Sequence, residues 1–173
     1  VNTTGIRSCY DEGKRIAETL CSDYKRMHNT DIKIMRIFNT YGPRMLSNDG
    51  RVVSKFIFQA MTGEPLTIYG DGSQTRSFCY VDDLINGLID LMKSNYKNPI
   101  NLGNTFEYSI NQLAEIISKL LNTDLKLVTK QLPLDDPKRR QPNIDLAKSM
   151  IDWSPKISLQ DGLKSTIEYF KNN

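Results

Sequence analysis

"YDEGKRIAETLCSDYKRMHNTDIKIMRIFNTYGP", residues 10–43, holds a helix, a short link, a strand and a turn, in that order. Ile16, Ala17, Leu20, Tyr24 and Met27 recur at spacings of three and four, the period of one helical face. Asp11 and Glu12 fall in the first turn, where the helix dipole favours anions. The spacing therefore predicts a helix over 10–28. "IKIMRIF" (32–38) is a short apolar, β-branched run and reads as a buried strand. "NTYGP" (39–43) reads as a turn or loop leaving that strand.

Outward from this unit the alternation continues. "RVVSKFIFQAMTG" (51–63) reads as a helix closed by Gly63. "EPLTIYGDG" (64–72) is a short strand running into a turn, and "TRSFCYV" (75–81) is a second extended piece. Asp82 or Asp83 starts a helix to about Met92, with Leu84, Ile85, Leu88, Ile89 and Met92 turned inward. "INLG" (100–103) is a brief strand, and Ser109 with Gln112 forms a capping box for a helix to about Leu121. "LKLVT" (125–129) is a strand, and prolines bracket a loop over 133–142. Helices follow near 145–151 and 159–171. Strands alternating with helices give an α/β class. No glycine-rich phosphate loop follows a first strand, so the chain reads as the second half of a larger α/β unit.

The 173 residues suffice for one domain with a core. At 39% hydrophobic and 25% charged, the composition is that of a globular protein and excludes a disordered tail. No apolar run approaches the ~20 residues that span a bilayer, and no signal peptide opens the chain. A net charge of +3 is too small and too mixed to argue for nucleic acid. Cys9, Cys21 and Cys79 form neither a CxxC nor a metal spacing; they favour reduced thiols and a cytoplasmic setting. His28 is the single histidine, expected on the surface, with nothing nearby to complete a triad or a metal site. No metal is expected. Acid–base chemistry falls to Tyr, Lys, Arg, Asp or Glu.

Tyr10 and Lys14 share a helix face, one turn apart. A phenol with a pKa of about 10 is a poor base at neutral pH. An ammonium beside it favours the phenolate and lowers that pKa. The tyrosine then takes a proton from a substrate hydroxyl, or returns it. The same spacing also describes an ordinary amphipathic helix.

The wider pattern narrows the choice. "YDEGKR" (10–15), "RIFNTYGPRM" (36–45), "NDGRVVSKFI" (48–57), "PLTIYGDGSQTRSFCYVDD" (65–83), "INLGN" (100–104), "DDPKRRQPNIDLAK" (135–148), "WSP" (153–155) and "GLKSTIEYF" (162–170) occur in one order. Together they resemble the extended short-chain dehydrogenase/reductases that act on nucleotide sugars. Within these they are most similar to the UDP-glucuronate decarboxylase, or UDP-xylose synthase, group. "NDGRVVS" and "DDPKRRQP" carry more of the likeness than the Tyr–Lys spacing.

The resemblance implies an NAD-binding Rossmann half followed by a smaller half that binds the nucleotide sugar. Residues to about 40 would end the first half, with the catalytic helix, and about 41–173 would form mainly the second. It implies oxidation of glucuronic acid at carbon 4 with NAD, loss of carbon dioxide from the 4-keto acid, and reduction of the ketopentose. NAD is regenerated. It implies Tyr10 as catalytic tyrosine and Lys14 as its partner, both also touching cofactor. Asn39 would meet the sugar or diphosphate, and Thr40 the nicotinamide side. Arg51, Val52, Val53 and Phe56 match a segment that closes over the nucleotide, with Arg51 also near cofactor. Tyr69 would lie near the uracil, and Arg76 would meet the diphosphate with its guanidinium fork. Arg140 would lie near the reacting sugar and its carboxylate.

Plainer readings stand beside these. Arg51 at a helix start, Tyr69 as core filler and the 138–140 cations as a solvated loop are each possible on pattern alone; Lys138 is expected on the surface. Ile16, Leu20 and Tyr24 would be intrachain core on periodicity, or a homodimer contact by family likeness. The resemblance also admits a 4,6-dehydratase, a 4-epimerase or a non-catalytic nucleotide-sugar-binding module. The glycine-rich NAD loop, the acidic residue for the adenosine ribose and the upstream Thr/Ser and Glu expected to help Tyr10 are not in these residues. On its own the chain is expected to bind NAD poorly, to turn over little and to expose an apolar sheet edge. Family members are cytosolic or Golgi-anchored.

Overall fold

A computed structural model describes residues 3–46, 49–124, 126–132 and 139–173. The first part runs α1 (Ser8–His28), β1 (Met35–Ile37), β2 (Thr40–Tyr41), α2 (Val52–Thr62), β3 (Leu66–Tyr69), β4 (Thr75–Ser77), β5 (Cys79–Tyr80) and α3 (Val81–Lys93). The second runs β6 (Ile100–Leu102), β7 (Glu107–Ser109), α4 (Ile110–Leu121), β8 (Leu127–Lys130), β9 (Arg139–Arg140), α5 (Asp145–Ile151) and α6 (Leu159–Asn172). The α/β class holds.

The strands form four small sheets. β1 pairs with β6, β2 with β5 and β3 with β8, all parallel. β4 lies between antiparallel β7 and parallel β9. Sequence reading found the helices to within about two residues but took β2 for a turn and β9 for part of a loop, and left β7 unassigned. Each of these is only two or three residues long. Their pairing is fixed by distant partners rather than by local periodicity.

α2, α4 and α6 close the main core on β3, with Phe56, Ile57, Leu113, Ile117 and Leu163 sealed inside. Buried Gln59 joins α2 to β3: its Oε1 accepts from the Thr67 N–H (3.0 Å) and its Nε2 donates to Thr67 Oγ1 (2.9 Å). Gly63 ends α2 in the left-handed region (φ 74°), as expected of a residue without Cβ. The Ser109–Gln112 capping box at the start of α4 is formed. A second core gathers Leu91, Ile100, Leu102, Ala147 and Trp153 around α3, β6 and α5.

Asp83 locks the C-terminal segment onto α3. It is 4% exposed. Its Oδ2 accepts from the backbone N–H groups of Lys156 (3.0 Å) and Ile157 (2.8 Å), and its carbonyl accepts from Trp153 Nε1 (2.9 Å). One turn on, a Cβ at Gly87 would lie 2.7 Å from Trp153 Nε1, so glycine is what lets the indole approach.

This contact corrects the expected face of α3. Asp83, Leu84, Gly87 and Leu91 point inward, while Ile85, Ile89 and Met92 are exposed. The helix is turned to offer Asp83 and Gly87 to Trp153. Two further expectations change. β1 is not buried: Arg36 and Ile37 are exposed, and among the described residues β1 pairs on one edge only. The apolar stripe of α1 (Ile16, Leu20, Tyr24, Met27) is exposed, so it is not intrachain core among the described residues. α1 is joined to β1 on its other side, where Glu18 takes two bonds from Arg36 (2.7 and 2.6 Å). His28 is exposed, its ring 4.9 Å from that of Tyr24.

Asp83→Ala is expected to destabilise the chain by about 2–3 kcal/mol, because two buried N–H groups lose a charged acceptor. Asp83→Asn, keeping one oxygen, should cost less. Urea unfolding followed by far-ultraviolet dichroism reads both; equal midpoints for the wild type and Asp83→Ala would refute the lock.

Candidate active site

Tyr10 lies near the start of α1 with 58% of its surface exposed. Lys14 follows one turn later and sets its Nζ over the ring, 5.5 Å from the centroid. Among the described residues no carboxylate pairs with Lys14, and the Tyr10 ring is the group its ammonium faces. The Glu18–Arg36 fork fixes the roll of this helix against β1; the Arg36 bond holds the Glu18 carboxyl below its usual range.

Asn39 and Thr40 follow the end of β1. The Asn39 carbonyl accepts from the Cys79 N–H (2.9 Å), and Thr40 Oγ1 donates to the Phe38 carbonyl (2.9 Å). The first bond ties Asn39 to β5, where Thr40 also pairs with Cys79; the second stays within the 38–40 segment. Through Ser77 and Phe78, β5 is continuous with β4, which carries Arg76. Neighbouring Tyr41 and Cys79 are unsuited to proton transfer. Tyr41 is buried and donates its hydroxyl to the Leu159 carbonyl (3.2 Å), and burial pushes its phenol well above the usual range. Burial, with Asp83 nearby, pushes the Cys79 thiol up to about 12.

Arg76 and Arg140 stand opposite each other in the β4–β9 register, with Tyr108 on the other flank of Arg76. Residues in register share a sheet face, so the two arginine side chains leave the sheet on the same side. Arg76 is 9% exposed, and its Nη1 donates to the Thr75 carbonyl (2.7 Å). Arg140 is half-buried, and its guanidinium has no hydrogen-bond or ion-pair partner among the described residues. A guanidinium is a two-pronged donor suited to phosphate or carboxylate oxygens. Lys138 and the rest of 133–138 lie outside the described residues.

The remaining expected residues divide. Arg51 is exposed at the start of α2, its Nε 3.4 Å from the Asp49 carboxylate. Asp49 also accepts from the Arg51 N–H (2.9 Å) and from Ser54 Oγ (2.7 Å). Val52 is half-buried. Val53 (2% exposed) and Phe56 (0%) are sealed in the main core, so of the expected closing segment it is Arg51 and Val52 whose side chains reach the surface. Val53 and Phe56 hold α2 while Arg51 and Lys55 face outward. Tyr69 is 37% exposed, so it is not core filler, and Lys55 Nζ lies 5.1 Å from its ring centroid. Sequence reading missed Lys55, Glu107 and Arg139. Lys55 follows Arg51 by one turn, a usable signal; the other two meet only through strand pairing.

The chain matches the NAD dependent epimerase/dehydratase family over residues 2–103. It is 52% identical over 171 residues to UDP-glucuronic acid decarboxylase 1 of Xenopus tropicalis, covering 99% of this chain and 41% of that protein. Its identity to UDP-glucuronic acid decarboxylase 3 of Arabidopsis thaliana is also 52% over 171 residues, covering 99% of this chain and 50% of that protein. The chain thus spans half or less of the length of these relatives. The crystal structure of UDP-glucuronic acid 4-epimerase from Bacillus cereus, in complex with UDP-glucuronic acid and NAD, superposes with a TM-score of 0.87 at 31% identity, covering 94% of this chain and 51% of that one. With the family matched across more than half of its residues, and with the Tyr10–Lys14 pair and the α/β fold in keeping, this chain belongs to the NAD dependent epimerase/dehydratase family.

Proposed function

We propose that the chain forms the sugar-nucleotide-binding and proton-handling part of an NAD-dependent enzyme that decarboxylates UDP-glucuronate to UDP-xylose. The observation that carries this reading is Arg140: half-buried, unpartnered among the described residues, and in register with Arg76. The likeness to named UDP-glucuronic acid decarboxylases over 99% of the chain supports the substrate.

The phenol of Tyr10 takes the proton from the hydroxyl on sugar carbon 4 and later returns it. The ammonium of Lys14 favours the phenolate between those steps and offers N–H donors to a ribose. The exposed donor set of Tyr10 and Lys14 fits one edge of a nicotinamide nucleotide, with Thr40 and Arg51 assigned beside it. NAD supplies, when bound, reversible oxidation at carbon 4.

Arg76 holds the diphosphate, and Arg140 the sugar end with its carboxylate. Loss of carbon dioxide leaves the bonding electron pair to delocalise onto the carbon 4 ketone oxygen. Donors aimed at that oxygen lower the barrier. Asn39 lies on the sugar or diphosphate. Tyr69, backed by Lys55, meets the uracil, with Val52 at the edge of the closing segment. Val53 and Phe56 support this segment from within the core. The exposed stripe Ile16, Leu20, Tyr24 and Met27 packs on the same helix of a second copy, making a homodimer through the Tyr10–Met27 helix.

A second reading is a nucleotide-sugar 4-epimerase, favoured by the superposition on the Bacillus cereus enzyme; a 4,6-dehydratase or a non-catalytic sugar-nucleotide module are further alternatives. Mass spectrometry of the product separates them. The full-length protein carrying this chain, given NAD and UDP-glucuronate, is expected to release one carbon dioxide and leave NAD oxidised. A product of unchanged mass would move it to the epimerases, loss of water to the dehydratases, and UDP binding without chemistry to the non-catalytic class.

In the same protein Tyr10→Phe is expected to lower turnover roughly 10²-fold or more while UDP affinity stays constant. Intact turnover would remove Tyr10 from the mechanism. Leu20→Asp on the exposed stripe is expected to convert a dimer to a monomer in analytical ultracentrifugation; an unchanged sedimentation profile would refute the α1 interface.

A further inference from the structure

β9 is only two residues long, yet it carries Arg140. Strand alternation turns Arg139 and Gln141 to the face opposite Arg140. On that face lies Glu107 of β7, whose carboxylate is 18% exposed. Arg139 Nε donates to both Glu107 oxygens (3.0 and 2.9 Å), and Nη2 donates to Oε2 (2.6 Å). Thr75 of β4 adds a bond to Oε1 (2.7 Å). Arg139 Nη2 also donates to Gln141 Oε1 (2.7 Å), and Gln141 Nε2 to the Thr105 carbonyl (2.6 Å). Ser77 Oγ donates to the carbonyl of Arg140 itself (3.3 Å). The residues on both sides of Arg140 are thus tied to the 105–107 segment.

We propose that Glu107, Arg139 and Gln141 form a clamp that positions Arg140 for the anionic ligand, acting through Arg140 and not touching the ligand. The inference rests on the reading of Arg140 as a ligand group. A two-residue strand has few backbone bonds of its own to hold Arg140 in place. A bidentate arginine–carboxylate fork supplies direction as well as attraction. An exposed ion pair adds little to global stability, so the effect of the clamp is local: it fixes where one guanidinium stands.

The test uses the full-length protein carrying this chain, with UDP-glucuronate as the calorimetric probe and amide hydrogen exchange read by NMR. Arg139→Ala is expected to speed exchange at Arg140 and Gln141 roughly ten-fold and to weaken UDP-glucuronate binding roughly ten-fold, the loss of about one charge-assisted contact. Exchange in α4 and the melting temperature should not move. Isosteric Glu107→Gln should do the same, and Arg139→Lys should recover part of the affinity. In an Arg140→Ala background, Arg139→Ala should add nothing. Unchanged exchange at Arg140 would overturn the clamp alone. An equal loss of affinity with or without Arg140 would overturn it too, because Arg139 would then act on the ligand directly. If Arg140→Ala binds UDP-glucuronate as the wild type does, the reading of Arg140 fails and the clamp falls with it.

Discussion

The architecture hangs on Asp83. It follows β5 directly and opens α3, and it binds three groups of the C-terminal segment at once. Through Trp153 it closes the second core over β6. Through the N–H groups of Lys156 and Ile157 it sets where α6 begins. α6 in turn covers the main core, where Tyr41 reaches the Leu159 carbonyl. One buried residue therefore couples the two cores, its backbone carbonyl holding Trp153 and its carboxylate the Lys156 and Ile157 N–H groups, and β5, which leads back to Arg76, leaves from the same point. A buried carboxylate with two well-made bonds costs less than one left bare.

From that frame the candidate site follows by strand geometry. β4 is the middle strand of its sheet, and alternation along it sorts side chains onto two faces. One face carries the row Tyr108, Arg76 and Arg140; the other carries Thr75, Glu107 and Arg139. The second face neutralises its charges internally, and Glu107 is held below the usual carboxyl range first by the Arg139 bonds and then by Thr75. The first face carries both arginines assigned to the ligand in the proposed function. The contrast separates the proposed binding face from a face held by its own ion pair within one three-stranded sheet.

The helices were legible in the sequence because their signals are local: the three-and-four spacing of α1, the capping box of α4, the glycine after α2. The direction of their faces was not. Ile85, Ile89 and Met92 have core-like spacing, yet Asp83 and Gly87 decide which way α3 turns, through a tryptophan 70 residues away from Asp83 in sequence. The short strands were missed for the same reason. A two-residue strand such as β9 has no period of its own, and its place comes from β4. Within the site, Tyr10, Lys14, Arg76 and Arg140 are visible as motif residues. That Val53 and Phe56 face inward, and that Arg139 belongs with Glu107, depends on contacts no motif encodes.

The two halves of the chemistry sit in different dielectric surroundings. Arg76 is almost fully buried, so attraction between this row and an anion is screened little by water. Tyr10 and Lys14 stand open on α1. For the proposed proton exchange at Tyr10, the pair must be covered and water excluded when substrate is bound. Arg76 is buried by this chain's own residues. The proposed diphosphate contact is therefore set by the fold, while the proposed proton step depends on what closes over α1.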